Sequence, residues 1–215
     1  MFHKIFWGLA VVGAIAASAG CAATVDIAVT GSDGAPAAFA VVGLVPEDSP
    51  ADPAPHTPEK SVIDQRHETF LPLVVIVRRG GRVVFTNNDV TMHQVYSFSP
   101  IRQFQFEIDK GQVSKPVEFD TPGIAAIGCN IHDNMVAYVY VASEPFAAVT
   151  DAAGHAEIPE VPAGRYLAKV WHPQLRIGRA PPPSPVAVQG DRVKLSLSVP
   201  LTQMPAMSRM HKSDY

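Results

Sequence analysis

Gly128-Cys129-Asn130-Ile131-His132-Asp133-Asn134-Met135-Val136-Ala137-Tyr138-Val139-Tyr140-Val141 passes from the end of one strand-like stretch, through a short polar loop, into an unbroken apolar run. Val136 to Val141 is short and rich in β-branched and aromatic side chains, as expected of a central strand in a sandwich. Val74 to Val77 has the same character. Outward from these, the chain alternates with period two. Val25, Ile27 and Val29 alternate with Asp26, Ala28 and Thr30, and Phe104, Phe106 and Ile108 with Gln105, Glu107 and Asp109. Val193, Leu195, Leu197 and Val199 alternate in the same way with Arg192, Lys194, Ser196 and Ser198. Each reads as a half-buried strand, with one face on a core and one in water. No segment carries a helical apolar stripe with caps, and 20 prolines and 15 glycines punctuate the chain too often for long helices. Asp33-Gly34, Gly80-Gly81, Pro122-Gly123, Ala153-Gly154 and Ala163-Gly164 supply turns between strands. The expected fold class is all-β.

The 215 residues suffice for one large domain or two small ones, and 47% hydrophobic against 17% charged residues exclude a disordered chain. A formal net charge of -3 gives no basic field for a phosphate backbone, which excludes nucleic-acid binding. The N-terminus has a short basic start (Met1 to Lys4), an apolar run from Ile5 to Ala17, and the small residues Ser18 to Ala23. That order describes an export signal over 1–23, with cleavage after Ala19 or Ala23. The apolar run is shorter than the roughly 20 residues of a membrane span. The expected location is periplasmic. Ala19-Gly20-Cys21 also resembles the end of a lipoprotein box, although Ser18 stands where a larger aliphatic residue is usual; lipid anchoring at Cys21 is the secondary reading. Export leaves Cys129 as a lone thiol in an oxidising compartment, so it must be buried or occupied.

The ends of the chain belong together. Asp33-Gly34-Ala35-Pro36 followed by Ala40-Val41-Val42, and Val149 to Gly154 followed by Val161 to Leu167, resemble phrases of the carboxypeptidase-regulatory-like β-sandwich. Here roughly 85 residues separate them, about the size of a small domain. The expected organisation is a discontinuous sandwich over 24–45 and 143–202, a proline-rich linker over 46–60, an inserted domain over 61–142, and a flexible tail over 203–215. Two consecutive modules, or one merged sheet, are the alternatives. The proline stretch Ala180 to Pro185 reads as a loop between strands.

Chemistry concentrates in the loop quoted first. Cys129, His132 and Met135 place a thiolate, an imidazole and a thioether on one tight connection between two strands, and His93 arrives from upstream after the turn Asn87-Asn88-Asp89. Two imidazoles and a thiolate in a plane, with a weak axial methionine, make a blue-copper electron-transfer site. Zinc is disfavoured because methionine is a poor zinc ligand. A Cys-His hydrolase lacks an orienting third group and an oxyanion cradle in this reading.

At these residues the sequence resembles the cupredoxins, the plastocyanin-like blue-copper proteins. The Cys-x2-His-x2-Met spacing is similar to the ligand loop of amicyanin, and Asn-x-Asp before the first ligand with Cys-Asn-Ile-His in the loop is similar to a bacterial group often labelled methylamine-utilisation proteins. The resemblance covers 61–142 and implies a Greek-key β-sandwich inserted into, or followed by, the second small sandwich. It implies one type 1 copper ion, with His93, Cys129 and His132 as equatorial ligands and Met135 as the axial one. It also implies a non-enzymatic single-electron carrier with a transient redox partner, such as a c-type cytochrome or a dehydrogenase. Copper delivery and a non-redox envelope scaffold are the alternative roles. Two departures stand out: Gln94 follows the first histidine where the family commonly has a bracing Asn, and Ile127 stands two before the cysteine where an aromatic residue is frequent.

The remaining histidines read as surface or capping residues: His67 in a strand-like lead-in, His172 at a strand end, His56 and His155 in linker and turn. Arg78, Arg79 and Arg82 cluster around Gly80-Gly81 as a solvated turn that could steer an acidic partner. Met204, Met207, Met210 and His211 in the tail read as a frayed polar end.

Overall fold

A computed structural model describes residues 22–48, 60–176 and 178–201. The expected export signal up to residue 21, most of the linker, and the methionine-bearing tail lie outside the described residues. The chain runs through β1 (Ala23–Gly31), β2 (Val41–Pro46), β3 (Lys60–Arg66), β4 (Thr69–Leu71), β5 (Val74–Arg78) and β6 (Gly81–Asn87). It continues through β7 (His93–Ser99), β8 (Arg102–Ile108), β9 (Val117–Phe119), β10 (Gly123–Cys129) and β11 (Val136–Ala142). The last strands are β12 (Phe146–Val149), β13 (His155–Val161), β14 (Gly164–Trp171), β15 (Ser184–Val188) and β16 (Arg192–Val199). Every helix-or-strand element among the described residues is a strand, so the fold is all-β.

The strands form four sheets around two cores. A five-stranded sheet, β5-β11-β10-β7-β8, and a four-stranded sheet, β4-β3-β6-β9, share a core that includes Ile63, Phe70, Phe85, Phe119, Ile127 and Val139. A three-stranded sheet, β13-β1-β16, and a four-stranded sheet, β12-β2-β14-β15, share a second core around Val25, Ile27, Leu44, Tyr166 and Leu195. The alternation in sequence is the cause. In β1, Val25, Ile27 and Val29 are buried while Asp26, Ala28 and Thr30 are half-buried, the pattern of a strand with one face on a core.

β11 lies between β5 and β10, an interior strand of its sheet as its apolar run suggested. Ala137, Val139 and Val141 enter the core, whereas Val136, Tyr138 and Tyr140 are only half-buried. The outer tyrosines meet Trp171 of β14, with ring centroids 5.5 Å from Tyr138 and 5.8 Å from Tyr140. The run is apolar throughout because one face fills its own core and the other rests against the second sandwich. Arg78 strengthens the same junction, donating through its guanidinium to the carbonyl oxygens of Glu144 (2.7 Å) and Pro145 (2.6 Å). Arg78 is therefore a structural clamp, not part of a solvated basic turn, and Arg82 pairs with Glu118 at 3.3 Å. A second correction concerns Ala180 to Pro185: Ser184 and Pro185 already belong to β15, which among the described residues pairs only with β14 and so, as an edge strand, tolerates a proline.

His172, just past β14, is buried and caps the loop around it. Its Nε2–H donates to the Ala38 carbonyl at 2.8 Å, and its Nδ1 accepts the Gln174 N–H at 3.0 Å. Burial lowers its proton affinity below the ordinary histidine value, against the smaller opposing pull of the Ala38 carbonyl. The folded state thus binds this proton less readily than the unfolded chain does. The neutral ring's full contribution is present above about pH 6.5, and it is lost as pH falls through the lowered folded value. Urea unfolding followed from about pH 7.5 to about pH 5 should show that loss, and His172→Gln should remove this part of the pH dependence.

Candidate metal centre

The centre is assembled by strand register. β7 and β10 are antiparallel neighbours, with Gly128 opposite Tyr96 and Cys129 opposite Val95. His93, Val95 and Ser97 are the buried residues of β7, and Ala125, Ile127 and Cys129 those of β10. Period-two geometry therefore sends the His93 imidazole and the Cys129 thiol inward at the same end of the sheet. Ile127 is core, and the opposite face of the sheet at this point carries Gly128 and Tyr96. Tyr96 lies over Gly128 so closely that a Cβ on Gly128 would sit 2.6 Å from the Tyr96 ring.

The β10–β11 connection brings the other two donors back. Its turn is closed by the Met135 N–H donating to the His132 carbonyl at 3.0 Å. It is tied to β7 through Gln94, whose backbone carbonyl accepts the Asn130 N–H at 3.1 Å and whose Oε1 accepts the Asn130 side-chain amide at 2.7 Å. Gln94 and Asn130 together thus brace this loop against β7.

His93, Cys129 and His132 converge, with one donor atom from each lying within 4.8 Å of the other two, and Met135 is buried in the same core as Cys129. Cys129 Sγ is 3.6 Å from His93 Nδ1. A sulfur about 2.3 Å and a nitrogen about 2.0 Å from a shared ion would be roughly 3.6–3.8 Å apart, so the spacing suits a common ion. The imidazole rings of His93 and His132 lie 5.1 Å apart between centroids, tilted by 57°. His93, Cys129 and Met135 are buried, while the His132 side chain keeps 19% of its exposure. His132 Nδ1 is buried with no hydrogen-bond partner, and an unpaired buried acceptor is costly unless something else occupies it. A soft thiolate, two imidazoles and a thioether with one orphaned nitrogen fit a copper ion.

A polar shell holds these donors from behind. Asn87, fully buried, donates its side-chain amide to the carbonyls of Thr91 (2.8 Å) and Ile108 (2.9 Å), and its Oδ1 accepts the Asp89 N–H at 2.9 Å. That pin shapes the loop entering β7. Asp89 Oδ2 then lies 3.1 Å from His93 Nε2, fixing the ring so that Nδ1 faces the thiol. The Glu68 N–H, 2.7 Å from the same oxygen, holds the Asp89 carboxyl below the ordinary carboxylate range despite its burial. Sequence reading placed Asn87 and Asp89 in the turn but missed these roles; their short distance from His93 in the chain was the available signal.

Asp89 is also the orienting group whose absence counted against a Cys-His hydrolase. Burial now argues against that reading: Cys129 is 3% exposed and His93 0%, leaving a substrate carbonyl no approach. The other histidines among the described residues stand apart from the cluster. His67 is not in a strand; with Glu68 it forms the two-residue turn between β3 and β4, and His155 opens β13 in an exposed position. Among the described residues, the His93–Cys129–His132 group is the single cluster of metal-binding side chains.

No protein-family model matches the chain, and no curated protein does. Among solved structures, 46% of the chain is similar to 98% of amicyanin from Paracoccus versutus, at 21% identity and a TM-score of 0.36. A purple cupredoxin from Nitrosopumilus maritimus matches over 38% of this chain and 99% of its own, at 20% identity and a TM-score of 0.35. A copper-containing nitrite reductase from Thermus scotoductus matches over 44% of this chain but 25% of its own, at 20% identity and a TM-score of 0.37. These are likenesses of backbone shape over part of the chain; the donor cluster rests on its own distances.

Asn87→Ala should strip a buried carbonyl (Ile108), a part-buried one (Thr91) and one buried N–H of this partner and destabilise the metal-free protein by roughly 1–3 kcal/mol, read from urea unfolding. An unchanged midpoint would mean the loop is held elsewhere.

Proposed function

We propose that the protein is an exported mononuclear type 1 copper protein that carries single electrons between redox partners and turns over no substrate of its own. In this reading 61–142 is the copper domain, and 24–45 with 143–202 is a carboxypeptidase-regulatory-like platform joined to it. The observation that carries the proposal is the buried convergence of Cys129, His93 and His132, with Met135 beside them and His132 Nδ1 unpaired. When bound, copper supplies a Cu(II)/Cu(I) couple.

The chain's residues suit that couple. Cys129 and His93 sit on paired strands, Gln94 and Asn130 tie down the ligand loop, and Asp89 fixes one imidazole. Donors held this firmly move little when the charge between them changes, which favours fast electron exchange. Their burial also speaks against handing the metal on as cargo, since ligand exchange needs access. His132 alone among the proposed equatorial donors reaches toward solvent and is the natural port for an electron. Near it in sequence is Ile131, and near His93 are Val90 and Met92, all exposed apolar residues suited to a small, transient contact with a c-type cytochrome or a dehydrogenase. The basic-then-apolar start of the chain supports a periplasmic setting.

The deciding experiment is an absorption spectrum of copper-reconstituted protein. An intense blue colour that bleaches on reduction and returns on oxidation, without loss of metal, is expected. Release of copper to an apo acceptor would favour delivery, and failure to bind one equivalent would favour a scaffold. Cys129→Ser should abolish the colour. Met135→Leu should keep it and shift the potential upward, because an axial donor favours Cu(II).

A further inference from the structure

The turn between β3 and β4 reaches both histidines of the cluster from outside. Arg66 pairs with Thr69, and the two residues between them, His67 and Glu68, have φ of 50° and 54°. This left-handed turn is normally made by Asn-Gly or Asp-Gly, and here two larger side chains hold it. Its geometry points Glu68 at the metal centre twice. The Glu68 N–H donates to Asp89 Oδ2, which holds His93 Nε2. The Glu68 carboxylate lies with Oε1 3.5 Å from His132 Nε2, on the edge of the ring opposite the orphaned Nδ1.

A neutral imidazole carries one proton, and the nitrogen that keeps it is chosen by what faces the other. An anionic oxygen at Nε2 favours the proton there and leaves the Nδ1 lone pair directed into the donor cluster. At 3.5 Å the contact is long for a hydrogen bond, so charge contributes more than directionality. The carboxylate is 47% exposed, which moderates its field without removing it.

We propose that Glu68 is a positioning residue of the metal centre: it fixes the His132 tautomer that presents Nδ1 to the ion, and its charge favours the more oxidised state of the loaded site. The second half rests on the copper reading above; the first half concerns the metal-free chain alone. Asp89, in the connection between β6 and β7, and Glu68, in the β3–β4 turn, thus perform the same service for His93 and His132, and the Glu68 N–H ties the two together.

The test uses the full chain with Glu68→Ala and Glu68→Gln. In metal-free protein, long-range proton–nitrogen NMR of His132 should report the Nε2–H form in the wild type and a substantial Nδ1–H population in Glu68→Ala. Glu68→Gln, which keeps a carbonyl oxygen but no charge, should restore Nε2–H only in part. After copper loading, both variants should remain blue and show a reduction potential above that of the wild type. An unaltered tautomer in Glu68→Ala overturns the proposal, as does an unaltered potential in Glu68→Gln. If no variant, nor the wild type, takes up copper, the function proposed above fails, while the tautomer comparison still decides whether Glu68 positions His132.

Discussion

The approach of Cys129 Sγ to His93 Nδ1, 3.6 Å across the seam between β10 and β7, is the contact on which the rest of the centre depends. It exists because the two strands pair in one register, with Cys129 opposite Val95 and His93 two residues from Val95 on the same face. Slipping either strand by one residue would turn its donor outward. The register is in turn held by the apolar residues that share those inward faces, Val95, Ala125 and Ile127, all buried in one core. A hydrophobic constraint therefore fixes a polar geometry: the core sets which side chains meet, and the loops add His132 and Met135 to a pair already in place.

Much of this could be read from the chain itself. The alternations around Val25, Phe104 and Leu195 are strands, and the loop from Cys129 to Met135 with the upstream His93 forms the cluster. What escaped reading depends on orientation, which residue type does not encode. Asp89 and Glu68 are two acidic residues among many, and only the folded turn brings their oxygens to opposite histidines. His67-Glu68 has neither the glycine nor the asparagine that marks a tight turn, so it passed for strand. Gln94 looked like a departure from a familiar brace, yet its longer side chain reaches Asn130 from the next strand. Arg78 looked like a surface cation because the carbonyls it grips are 66 and 67 residues further along.

The two sandwiches are in direct contact. Trp171 covers Tyr138 and Tyr140, Arg78 grips the backbone where β11 leads into β12, and a side chain on Gly43 would collide with Glu144. Burial and the neighbouring Glu144 carboxylate push the Tyr140 phenol far above its ordinary range, keeping it a neutral donor to Glu144 at 3.3 Å. The strand that follows the Cys129–Met135 loop thus carries its own sandwich on one face and the neighbouring one on the other, so a change in either is felt through β11.

The ladders of β1 and β2 have a consequence for synthesis. β1 pairs with β13 and β16, and β2 with β12 and β14, so these first two strands find all their ladder partners downstream of the ligand loop. Leu44 faces Phe146 across a loop of roughly a hundred residues, whose closure is entropically expensive unless the intervening chain has already condensed. As the chain emerges from its N-terminal side, β1 and β2 come out early and wait as bare apolar edges while the middle of the protein forms behind them. The ligand-bearing sandwich, once made, draws the two ends of that loop together and so templates the closing of its neighbour.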